Sequence, residues 1–132
     1  MADALKADAP EGQSNQMAVS NAMVKLYKEL FGRGPTRART AYAGPDLLIC
    51  TLQDSLTPAE RNLVDMGQHQ RLRDVRMFFQ HASEAEFRAV VEENTGRKVW
   101  AFVSGIDTVK DVSSEVFYLV PESNGSGGPE KV

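Results

Sequence analysis

A chain of 132 residues, 42% hydrophobic and 25% charged, has the length and balance of one ordinary globular domain. Its formal charge of −3 comes wholly from the ends. Residues 20–121 carry 13 basic and 13 acidic side chains, which argues against bulk electrostatic binding to DNA or an anionic membrane and leaves room only for a local basic patch.

Residues 1–16 and 122–132 hold almost no large apolar groups and are expected to be loose tails on a single α+β domain over 17–121. The first helix is expected over Gln16–Phe31, where Val19, Met23, Leu26, Tyr27, Leu30 and Phe31 fall at helical spacing and Gly32 is placed to end the helix. A weak strand follows at Arg39–Ala43, then the turn Gly44-Pro45-Asp46 and a strong strand at Leu47–Leu52. Thr57-Pro58-Ala59-Glu60 reads as a capping box opening a short helix that stops at Gly67. One long third helix is expected from His69 to Asn94, with an apolar stripe through Leu72, Val75, Phe78, Phe79, Ala82, Ala85, Ala89 and Val90, and with Arg73, Arg76, Gln80 and Glu84 on another side. Glu86 falls within that stripe, a conflict the spacing leaves open. Strands at Val99–Ser104 and Glu115–Val120 finish the domain, with Ile106–Ser114 read as a polar connection. The order α-β-β-α-α-β-β predicts an α+β fold with a four-stranded, mainly antiparallel sheet and three helices.

The strands do not alternate as a sheet covered on one face should. Leu47 and Ile49 oppose Leu48, Cys50 and Leu52. Val99, Ala101 and Val103 oppose Trp100 and Phe102, and Val116, Tyr118 and Val120 oppose Phe117 and Leu119. Both faces read as buried, which predicts a homo-oligomer, most simply a dimer, in which a second copy covers one face.

Catalytic readings are weak. His69, His81 and Cys50 lack the spacing of a metal site, Cys50 sits in an apolar run rather than beside a base, and Ser55 and Ser104 have no nucleophile context. Glu92-Glu93 and the Glu84/Glu86 pair read as solvated. The expectation is a non-enzymatic chain with no cofactor and no metal. No apolar run approaches the ~18 residues of a membrane span, residues 1–19 lack a signal-peptide core, and a lone cysteine fits a reducing compartment, so a cytoplasmic location is expected.

The most distinctive surface feature is Gly32-Arg33-Gly34-Pro35-Thr36-Arg37-Ala38-Arg39. Its glycines allow close backbone approach, and arginine matches phosphate or carboxylate oxygens. An NTPase phosphate loop is ruled out: the Gly-Lys-Ser/Thr ending is missing, and a helix precedes the loop where a strand should be. The carbonyl end of that helix also disfavours an anion. The readings that stand are a small-anion site, pairing with acids within or across subunits, and simple solvation. Arg71, Arg73 and Arg76 form a second cluster, read as surface ion pairs. RNA stacking on Trp100 and Phe102 is disfavoured by two-sided burial and the neutral core, so nucleic acid is an unlikely partner.

The segments Ser20-Asn21, Val24-Lys25-Leu26-Tyr27-Lys28-Glu29, Gly32-Arg33-Gly34-Pro35, Leu56-Thr57-Pro58 and Thr95-Gly96-Arg97-Lys98-Val99 resemble a small bacterial family called MpsC-like, named for a sodium-translocating, membrane-potential-generating system. The resemblance covers about residues 18–120. It implies an accessory or regulatory role beside cation or inorganic-carbon handling at a membrane, with a membrane-protein partner. It brings no assigned catalytic residues. By residue type, its two basic motifs suggest that Arg33, Gly34, Arg37, Arg39, Arg97 and Lys98 line one ligand-binding site, provided the two segments meet in space.

Overall fold

The computed structural model describes residues 14–122; the tails expected at the two ends fall mainly at 1–13 and 123–132, outside the described residues. Helix α1 (Asn15–Phe31) starts at Ser14, whose hydroxyl accepts the Met17 N–H at 3.1 Å. It ends at Gly32, which takes the left-handed conformation at φ 84° that glycine adopts without strain. Strands β1 (Arg37–Tyr42) and β2 (Leu47–Gln53) follow as a hairpin. Helix α2 (Pro58–Asp65) opens with the expected capping box: Thr57 Oγ1 accepts the Glu60 N–H, and Glu60 Oε1 accepts the Thr57 N–H.

The expected long third helix is two helices, so the fold has four helices rather than three. Helix α3 (His69–Ala82) and helix α4 (Glu84–Thr95) meet at Ser83, whose φ of −106° and ψ of 21° leave the helical region. The Ser83 carbonyl accepts the N–H groups of Glu86 and Phe87 to start α4. The bend lets α3 follow the sheet while α4 lies along α1. The buried line through both helices is Leu72, Arg76, Gln80, Ser83, Phe87 and Val91. It leaves Glu86 in solvent and removes the conflict seen in the spacing.

Strands β3 (Val99–Asp107) and β4 (Val112–Leu119) both extend into the stretch read as a connection, leaving only a tight turn between them. Its polar residues look like loop in sequence, but Ser113 is a strand residue facing inward, on the same side of β4 as Glu115. The sheet is four-stranded and antiparallel, in line with the mainly antiparallel sheet expected, and its strand order is β1-β2-β4-β3.

One face of this sheet is covered. Leu48, Cys50, Leu52, Phe117 and Leu119 join Val19, Met23 and Tyr27 of α1 and Phe87 and Val91 of α4 in one core. Phe102 stacks between Phe87 and Phe117, at 5.3 and 5.1 Å between ring centroids. The strict alternation expected for β3 fails at a bulge: Val99 pairs with Leu119 while Ala101 pairs with Tyr118. Val99 therefore faces the core, opposite Ala101 and Val103, and Trp100 faces out against Tyr118 at 5.9 Å instead of sharing a face with Phe102. Because Phe87 closes the aromatic stack from the helix side, Phe87→Ala is expected to lower unfolding stability by about 3–5 kcal/mol in urea titrations.

Candidate functional site

The basic segment folds largely back onto its own chain. Arg33 donates to the carbonyls of Asp54 and Leu56, and its Nη2 lies 3.2 Å from Asp54 Oδ2. Arg61 bridges Asp54 and Asp111 at 2.7 and 2.8 Å. The buried Asp111 carboxylate accepts the N–H groups of Ser55 and Leu56. Together these groups clamp the loop between β2 and α2. Hydrogen bonding from Thr36, reinforced by Arg33 and Arg61, holds the Asp54 carboxyl below its ordinary range. At Gly34 a Cβ would lie 3.2 Å from the Val24 carbonyl oxygen, so the glycine serves close packing on α1. Arg37 and Arg39 stay exposed and project from the outer side of β1, whose inward residue Thr40 bonds Ser20 at 2.7 Å.

Arg97 has an equivalent role elsewhere. It donates to Asp46 Oδ1 at 2.7 Å and to the carbonyls of Pro45 and Val120, fastening the β1–β2 turn to the end of β4. Asp46 precedes β2 and Asp54 follows it, so the Arg97 and Arg33 clusters sit at opposite ends of that strand, roughly 25 Å apart by strand rise. The structure brings Arg33 and Gly34 near the β2–α2 loop, Arg37 and Arg39 to the outer sheet face, and Arg97 with the exposed Lys98 to the far end; it does not bring the two motifs together.

Arg76 is fully buried, in place of the surface pairing expected for its cluster; Arg71 and Arg73 are exposed. Its guanidinium makes two bonds to the Glu60 carboxylate at 2.7 and 3.0 Å, donates to the Ser55 carbonyl, and lies 3.8 Å from the Phe31 ring centre. Burial pushes the Glu60 carboxyl up, but the bonds from Arg76 and the Thr57 N–H outweigh it and leave it below the ordinary range.

The group that sequence reasoning missed is Glu115, fully buried in the middle of β4. Tyr27 O–H donates to its Oε2, and Gln80 Nε2 reaches the same oxygen at 2.7 Å while also meeting Ser104. Its other oxygen, like Gln80 Oε1, has no partner among the described residues. Burial pushes the carboxyl up to about 7, against hydrogen bonds that hold it down, and a neutral acid leaves less uncompensated charge at the orphan oxygen. Burial, then the neighbouring carboxyl, keeps the Tyr27 phenol well above its usual range. Burial also pushes the Cys50 thiol up to about 12.

This network sets the outward face of α3. With Leu72, Arg76 and Gln80 turned in, much of the stripe expected to be buried points to solvent. Phe78 is 68% exposed, Val75 47% and Phe79 41%, and Phe79 bridges to Phe31 of α1. A groove of about 290 Å³ beside the start of α3 is lined by residues including His69, Arg73 and Asp107. No group of three or more His, Cys, Asp or Glu side chains converges as a metal site among the described residues.

A proton that the fold holds on Glu115 up to about pH 7 is lost from the unfolded chain in the ordinary carboxylate range, near 4.5. The contribution of Glu115 to stability is therefore complete below the ordinary range and is lost as the pH rises through about 7. Glu115→Gln is expected to flatten this dependence and to be more stable than the parent at pH 8 by on the order of 2 kcal/mol. Chemical denaturation from pH 4 to 8 checks this; parallel curves for parent and variant would contradict it.

Searches of curated proteins and of solved structures find no match. Among the described residues, no helix is long and apolar enough to cross a membrane. The model of a protein family described as the Na+-translocating membrane potential-generating system (MpsC) matches residues 12–120 and so spans all of the secondary structure described above. The chain belongs to the MpsC family.

Proposed function

We propose that this MpsC chain is a non-enzymatic accessory or regulatory subunit that acts on a protein of the membrane potential-generating system through the outer face of α3. The observation that carries the reading is the exposure of Val75, Phe78 and Phe79 on a helix whose inner face is committed to Arg76 and Gln80. Phe78 and Phe79 lie together at 5.9 Å beside Phe31 of α1, and a contiguous exposed apolar patch suits a contact surface. Arg71, exposed and one turn before Val75 on the same stripe, suits a partner that places an acid beside an apolar patch. The sealing of Glu115 inside the core supports a structural use of this perturbed carboxylate. The basic segment fits the same reading, since Arg33 is bonded to the chain's own Asp54 and only Arg37 and Arg39 are offered outward.

Vesicles carrying the sodium-translocating system, read with a voltage-sensitive dye, test this. Added chain is expected to change the sodium-dependent potential. Phe78→Asp, with an unchanged melting curve, is expected to abolish the effect. No response to the chain, or an equal response to the variant, contradicts the proposal.

A further inference from the structure

The open face of the sheet lies on the opposite side from α3 and raises a separate question. Trp100, Val103 and Tyr118 are 45%, 55% and 38% exposed there, and no element of the described chain covers them. The strand register arranges this face in rows. Ala41, Ile49, Val116 and Val103 form one row. Arg39, Thr51, Ser114 and Gly105 form the next, and Arg37, Gln53, Val112 and Asp107 the last. At the other end Leu47 and Tyr118 pair beside the Trp100 bulge. The face is thus apolar at one end and polar at the other, with a cation on one edge and an anion on the other edge of the same row.

We infer that a second copy of this chain covers this face, related by a two-fold axis running along the strands between β2 and β4. Such an axis keeps every row at its own height and exchanges the edges. Apolar rows then meet apolar rows, with Ile49 on Val116 of the other copy and Val103 on the small Ala41. Arg39 faces Gly105, where a Cβ would have no neighbour within 4 Å, so the long side chain has room. Arg37 meets Asp107 twice, once on each edge; Asp107 is exposed, and its Oδ1 is held by the Lys110 N–H. A two-fold axis across the strands would instead lay the Trp100 end on the polar end and Ala41 on Arg39. The twist of the sheet does not oppose the first arrangement, because a saddle rotated about its strand direction keeps its curvature. Strand spacing and rise give a face of roughly 20 by 25 Å, a footprint of about 500 Å² before side-chain relief. That is close to the ~600 Å² per partner at the small end of stable interfaces.

Sedimentation equilibrium of the full chain across a wide concentration range tests the arrangement. The chain is expected to be a dimer at micromolar concentration. Val103→Glu, at an exposed position, is expected to give a monomer with an unchanged circular-dichroism melt. Arg37→Asp and Asp107→Arg are each expected to weaken association by about tenfold, and the double variant to restore it, because each reversed charge meets its reversed partner. Asp107→Asn keeps the acceptor for the Lys110 N–H and is expected to weaken the dimer without disturbing the turn. A chain that stays monomeric overturns the inference. So does a dimer abolished by Phe78→Asp but not by Val103→Glu, which would place the contact on α3, and so does a double variant no tighter than the singles. Because the vesicle response rests on Phe78, a monomer that still acts on vesicles separates this failure from a failure of the proposed function.

Discussion

Glu115 occupies the centre of a core strand, where a hydrophobe would ordinarily sit, and α3 is arranged around it. A buried carboxyl needs hydrogen-bond partners, because leaving it bare costs more than a typical hydrogen bond returns. Gln80 supplies one from α3 and Tyr27 another from α1. One turn earlier on α3, Arg76 turns inward to Glu60 and Ser55. With two polar side chains directed at the core, the helix cannot also bury Val75 and Phe78. An apolar stripe on the outside is therefore the consequence of a polar line on the inside.

The same economy governs the arginines. Arg33, Arg61, Arg76 and Arg97 all bond carboxylates of the chain itself, and Arg33, Arg76 and Arg97 also bond main-chain carbonyls in loops. Their planar donors close off carbonyls and acids at sharp turns, where Asp54 and Asp111 adopt left-handed backbone angles of 63° and 59°. A segment that looks like an anion cradle in one dimension is in three dimensions tied back at Arg33, Gly34 and Thr36, while Arg37 and Arg39 keep their charge outward.

Much of the architecture is legible in local chemistry. The Thr57–Glu60 capping box, the helix stop at Gly32, and the apolar run of β2 each act within a few residues and appear where expected. The features that escape the sequence depend on distant partners. Gln80 and Arg76 read as surface residues until Glu115, Ser104 and Glu60 are beside them. The bulge at Trp100 shifts the faces of β3 by one residue, which no spacing rule reveals in advance. The break at Ser83 carries no glycine or proline, and it follows from packing α3 on the sheet and α4 on α1. For the candidate site, residue type could not separate arginines bonded to the chain itself from those left exposed, nor reveal that the two basic motifs lie at opposite ends of β2.

The phase of α3 links the buried network to the proposed contact surface, and it separates a helix ordered by polar partners from one ordered by its apolar stripe. Cys50, the single cysteine, is buried with its thiol pushed up, so it provides a silent background for labelling. The most direct measurement is the rate at which a thiol reagent modifies Phe78→Cys in the native chain, compared with the same variant in denaturant. Reaction at nearly the denatured rate, with Cys50 untouched, is the predicted result. Protection of the introduced thiol to the level of Cys50 would mean that α3 buries its apolar stripe, and would contradict the account.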